Sequence, residues 1–203
     1  MAAGPSGLRR TADERNAPVR TSTCAAAGLA LLFGLAAGAA ADAQGADPVF
    51  AAFREACLVS GAEPAAVAKA TEHGWSDGDM TGTPIPGFVV DNKVMKSTRI
   101  GAAELKLFDW HGVKGAIGAD ECQVSVNKAG FEAVRSAAAT SLGFAAQQTA
   151  PDKSVFQFQG TAEAPKPIEK TDFDAAAGSG GVMLLTISKQ GNGVFLELLR
   201  IRK

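Results

Sequence analysis

Val182-Met-Leu-Leu-Thr-Ile-Ser-Lys189, then Gln190-Gly191-Asn192-Gly193, then Val194-Phe-Leu-Glu-Leu-Leu-Arg-Ile201 is the stretch that decides the fold. Two β-rich runs flank residues that tolerate positive φ, which is the signature of a β-hairpin. Working back from it, Ser154 to Gln159 reads as a further strand. Glu121 to Asn127 alternates Cys122, Val124 and Val126 against Gln123, Ser125 and Asn127, the period-2 pattern of a half-buried strand. Ala103 to His111 carries Leu105 and Leu107 on one face and Lys106, Phe108 and Trp110 on the other, and Phe88 to Val90 and Val94 to Ile100 are shorter β-leaning runs.

Helices lead the domain and interrupt the strands. Asp47-Pro48 places a capping carboxylate before a proline at the first helical position, and the helix runs to about Ser60, where Gly61 stops it. Glu63-Pro64 repeats the device for a second helix to about His73, closed by Gly74 as a left-handed C-cap with Trp75 folding back. Phe131, Val134, Ala138 and Leu142 fall at helical spacing between Gly130 and Gly143. The expected fold is α+β: an N-terminal helical hairpin and a mostly antiparallel sheet with one inserted helix. The Gly- and Pro-rich segments Ser76–Gly87 and Thr161–Gly181 read as loops, the usual places for binding residues on a rigid scaffold.

Residues 1–43 stand apart from residues 44–203, the single folded domain. Arg9, Arg10, Arg15 and Arg20 precede an Ala- and Leu-rich run from Cys24 to Ala41, and Ala41-Asp42-Ala43 offers small residues at both positions a signal peptidase inspects. Basic flank, apolar run and A-x-A site in that order define a Sec-type signal peptide, with cleavage expected between Ala43 and Gln44 and a periplasmic or secreted product. The run is about long enough to stay as a membrane anchor, but alanine favours the bilayer weakly. Arg9-Arg10 hints at a twin-arginine signal, against which the following polar residues argue. A lipoprotein reading fails because Cys24 begins the apolar run, and Val19 is a candidate alternative start.

Removing that segment leaves 16 of the 20 Lys and Arg and 18 of the 21 Asp and Glu, with no basic block. That balance argues against nucleic acid as a partner. Two cysteines remain, Cys57 and Cys122. A pair in an exported domain reads as one disulfide. Closing a loop of about 66 residues, it would contribute roughly 4 kcal/mol on chain-entropy grounds.

The running order Phe50-x-x-Phe53-x-x-x-Cys57, Gly74-Trp75, Leu105-x-Leu107-Phe108-x-Trp110-x-Gly112, Cys122, Ala129-Gly130-Phe131 resembles small exported bacterial proteins of uncharacterised function. The resemblance implies secretion and a paired Cys57 and Cys122, and no activity.

Asp109-Trp110-His111-Gly112 is the most suggestive local string, with a carboxylate and an imidazole on one face at a strand end. A solvated strand end explains it as well. Cysteine catalysis is opposed by the disulfide and by the position of Cys57 in the last turn of a helix, where the dipole disfavours a thiolate. Metal binding lacks a ligand set: two separated histidines, no Cys-x-x-Cys, and in Asp77-Gly78-Asp79 no EF-hand ladder. There is no Gly-x-Ser-x-Gly elbow, and Gly178-Ser179-Gly180-Gly181 does not join a strand to a helix as a phosphate cradle must. No cofactor is implied. Trp75, Asp109, Trp110 and His111 are the candidate ligand-facing residues of a non-catalytic binding or interaction protein of the cell envelope, its partner an unknown envelope protein or small ligand. The alternative is a small periplasmic hydrolase using His111 with an acidic partner.

Overall fold

A computed structural model describes residues 47–78 and 87–203, so the expected signal segment and Asp79 lie outside the described residues. One antiparallel sheet of nine strands dominates: β1 (Ser76–Asp77), β2 (Val89–Ile100), β3 (Ala103–Lys114), β4 (Ile117–Val126), β5 (Gln148–Ala150), β6 (Lys153–Thr161), β7 (Ala164–Pro167), β8 (Val182–Gln190) and β9 (Gly193–Arg202). Their order is β1-β2-β3-β4-β9-β8-β6-β5, with β7 also on β6. The fold is α+β.

Three two-residue turns set the registers. Gly101, Gly115 and Gly191 each take φ near +60° at the first turn position, and the residue after each does not, the pattern of a type II′ hairpin turn. The loop of the last hairpin is therefore Gly191-Asn192 alone, and Gln190 and Gly193 already pair. The two short runs expected around residues 88–100 are one strand, kept continuous by a bulge between Val90 and Asn92.

Alternation divides the sheet into two faces. On the covered face, Leu107, Cys122, Val124, Leu196, Leu198, Leu185 and Phe156 meet the helices in the main core. Helix α1 (Pro48–Phe53) starts where the Asp47 carboxylate accepts from the Val49 and Phe50 amides, both at 3.0 Å. It continues as a π-helical turn, Arg54–Leu58, which carries Cys57. Helix α2 (Pro64–Ala70) is capped by Glu63, with a turn from there to Gly74, and α3 (Phe131–Leu142) buries Phe131, Val134, Ala138 and Leu142. Cys57 and Cys122 form the expected disulfide, Cα atoms 5.6 Å apart, tying the first helical segment to a central strand.

The segment Thr161–Gly181 is more ordered than a loop. It contains β7 and a second inserted helix, α4 (Phe173–Ser179), which packs Ala176 and Ala177 on Val182. The expectation of one inserted helix is corrected to two. No helix among the described residues is long and apolar enough to cross a membrane.

Candidate functional site

Strand β4 places Asp120 and Glu121 on opposite faces of the sheet, and each is the centre of a polar cluster. On the covered face the β3–β4 register sets His111 directly across from Asp120. His111 Nδ1 lies 2.5 Å from Asp120 Oδ1, and an Arg202 guanidinium nitrogen lies 2.5 Å from Oδ2. The Asp120 side chain is 1 % exposed and the His111 ring 24 %. The carboxylate draws the imidazole proton to Nδ1, so the neutral ring presents Nε2 as a free base. That is the orientation a general base needs. It also gives a buried carboxylate at a sheet end a hydrogen bond beside the charge of Arg202.

Asp109 shares this face, directly across the β3–β4 pair from Cys122. It is fully buried, and neither carboxyl oxygen has a hydrogen-bond partner among the described residues. Burial, then the charges of Asp120, Glu63 and Glu121, push its pKa up to about 8. Asp109 is therefore a neutral acid at pH 7, held next to the disulfide.

Among the described residues the opposite face is covered only at its corners. Phe88 sits edge-on to Trp110 at one corner, ring centroids 5.5 Å apart, and α4 lies on Val182 and Leu184 at the other. Between them Leu199, Gln123, Glu197 and Thr186 are half-buried. Glu121 points into this stretch and is 8 % exposed. The Gln123 amide donates to Glu121 Oε1, and the Glu197 carboxyl lies within hydrogen-bonding reach of Glu121. Burial is the largest cause raising the Glu121 pKa to about 7, and the neighbouring Glu197 adds to it. Gln123 and the Trp110 indole oppose the rise, yet the indole Nε1 makes no hydrogen bond of good geometry and is buried.

The four residues singled out from the sequence do not converge. Asp109 and His111 share the covered face, Trp110 packs with Phe108 and Ala119 on the other, and Trp75 is half-buried against the main core. Sequence reasoning missed Asp120 and Arg202 around His111, and the Glu121–Gln123–Glu197 group entirely. Asp77, one of the two carboxylates weighed for calcium, pairs with Lys96 at 2.7 Å. Among the described residues no three His, Cys, Asp or Glu side chains are grouped to hold a metal. No protein family, curated protein or solved structure matches the chain.

Proposed function

We propose that this chain is exported to the cell envelope and works there as a non-catalytic binding domain, for an envelope protein or a small ligand, through the open face of its sheet. The carrying observation is the composition of that face. Half-buried Met95, Leu184, Phe195 and Leu199 surround the Glu121–Gln123–Glu197 group, on the side of the sheet away from the disulfide and α1–α3. Apolar area with a few placed polar groups is what recognition surfaces offer. The Cys57–Cys122 bridge supports an oxidising compartment. We read α1 and α2 as a helical hairpin that this bridge anchors, leaving the other face free for its partner.

Two measurements test the reading. Intact mass of the protein from the envelope fraction should start near Gln44, with thiols alkylated only after reduction; a full-length cytoplasmic product sinks the export claim. A photo-crosslinking residue at Phe195, activated in intact cells, should give a discrete adduct that the same residue at Glu132 on α3 does not. Equal adducts at both positions, or none at Phe195, would count against the face.

One observation favours the hydrolase alternative, the 2.5 Å contact that orients His111 on Asp120. That reading requires turnover of an activated ester above background, lost in His111→Gln. No difference between the two proteins rules it out.

A further inference from the structure

Asp120 and Glu121 are sequence neighbours with opposite circumstances. Both oxygens of Asp120 are bound by cationic or protonatable groups already in the fold, His111 and Arg202. Glu121 has two neutral donors beside it, the Gln123 amide and the Trp110 indole, and a second carboxyl, Glu197. Among the described residues no ion pair is made by Glu121 or Glu197. The other charged groups on this face around them are Lys93, across from Trp110, and Lys106, across from Ser125; both are exposed, and neither is paired with the two carboxyls. From β9 and β8 the facing groups are Leu199, Phe195 and Thr186, all uncharged. Two carboxyls are thus held together, mostly out of water, with donors placed to favour the ionised form of Glu121 and no cation to complete it.

Buried donors without acceptors and buried acids without counter-charges are costly. Trp110 is 1 % exposed and its Nε1 unpartnered, on the residue directly across from Glu121. Ionised Glu121 would be a stronger acceptor for that N–H than the protonated acid, and a positive charge from outside would make ionisation favourable. Building on the open-face reading above, we propose that Glu121 and Glu197 form a recognition site for an organic cation, an ammonium or guanidinium group on an apolar stem. The stem is specified by half-buried Leu199, directly across from Glu121, and by Leu184 across from Leu199. A guanidinium can bridge two carboxyls through its planar set of donors. A divalent metal fits less well, because among the described residues no three His, Cys, Asp or Glu side chains are grouped to hold one, and apolar Leu199 and Leu184 flank the acids where its water shell would sit.

The ligand and a proton compete for the same place. With the Glu121 pKa about 7, affinity should rise about tenfold from pH 6 to pH 8, with uptake of the cation releasing a proton at the lower pH. The test is calorimetric titration of the mature, disulfide-intact protein at 150 mM NaCl. The probes are the peptide acetyl-Arg-Ala-Arg-Ala-amide, its Gln-for-Arg counterpart, and spermidine. Expected are saturable binding of a cationic probe, none of the Gln peptide, the tenfold pH effect, loss of binding in Glu197→Gln and Glu121→Gln, and unchanged binding in Asp77→Asn. Thermal melts of both Gln variants at or above the parent show that the fold is intact. Arginine peptide bound in preference to spermidine assigns the cation to a protein partner, and the reverse to a free polyamine. Binding that survives Glu197→Gln, binding without pH dependence, or no binding at millimolar probe overturns the inference. The Phe195 crosslink separates the two levels. An adduct equal in parent and Glu197→Gln leaves the open-face reading standing without the cation, and no adduct in either removes both.

Discussion

Replacing Asp109 with Asn should make this protein more stable at neutral pH and remove much of its pH dependence. Asp109 is fully buried with both oxygens unpartnered, and its pKa stands near 8 against an ordinary 3.8. In the unfolded chain the carboxyl ionises above pH 3.8, while in the folded protein it keeps its proton to about pH 8. Across that window the native state binds one more proton than the unfolded state, so raising the pH favours unfolding. The slope from this one group is about −1.4 kcal/mol per pH unit, or about 4 kcal/mol between pH 5 and pH 8. Asn does not titrate. Its carboxamide does bring two N–H donors, against one O–H in the neutral acid, into an unpartnered site, and the extra donor costs roughly 1–3 kcal/mol. The variant should therefore gain near pH 7, where the avoided cost is about 4 kcal/mol, and gain little or lose at pH 5.

Urea unfolding followed by the fluorescence of Trp75 and Trp110, with the disulfide intact, measures this at pH 5, 6, 7 and 8. Glu121, raised from 4.5 to about 7, contributes a slope of the same sign below pH 7 in both proteins, so the difference between them is the quantity to read. That difference should grow by about 1.4 kcal/mol per pH unit. Parallel stability profiles for parent and Asp109→Asn would refute the reasoning, since they would mean that Asp109 is ionised in the native state or finds a partner there.

Three further variants probe other parts of the fold. Cys57→Ala with Cys122→Ala should lower the unfolding free energy by about 4 kcal/mol, read as a lower urea midpoint. Gly193→Ala should cost about 3 kcal/mol or more by the same assay. A Cβ there would sit 1.8 Å from the Val126 carbonyl oxygen, so β9 cannot keep its place against the end of β4. Arg202→Met removes one of the two partners of buried Asp120 and should cost about 1.5–3 kcal/mol, the usual worth of a hydrogen bond to a charged group.

Local patterns carried most of the fold. Cys122, Val124 and Val126 alternate because one face of β4 meets the helices, and Phe131, Val134, Ala138 and Leu142 repeat at helical spacing because α3 lies on that same face. What escaped was hidden by local chemistry that points the wrong way. Asp91-Asn92 reads as a turn, although it is a bulge inside β2. Pro165 and Pro167 argue against a strand, yet β7 is an edge strand pairing on one side only, where a missing N–H is tolerated. The buried residues of α4 are Ala176 and Ala177, whose side chains are too small to produce an apolar period. The His111–Asp120 pair was within reach of the sequence. Taking Gly115-Ala116 as a two-residue turn pairs Lys114 with Ile117, and counting back three places puts His111 across from Asp120. The Glu121–Glu197 group was not, because β4 pairs with β9 across most of the domain and no local pattern encodes that register.

The same register explains why the chemistry gathers on β4. A central strand has neighbours on both sides, so a polar residue there cannot turn to solvent at an edge and depends on what faces it for its partners. Asp120 meets that demand within the chain: β3 supplies His111 and β9 supplies Arg202. Cys122 meets it covalently, through Cys57. Glu121 receives amide and indole neighbours and a second acid, so at neutral pH a proton is the only positive charge that the described fold provides for it. A purely structural role would be filled at lower cost by Gln at either position, since a neutral amide needs no counter-charge in a half-buried site. Two acids in that place are costly unless something positive arrives from outside, and this asymmetry between adjacent residues distinguishes a charge that holds the sheet from one that faces a ligand.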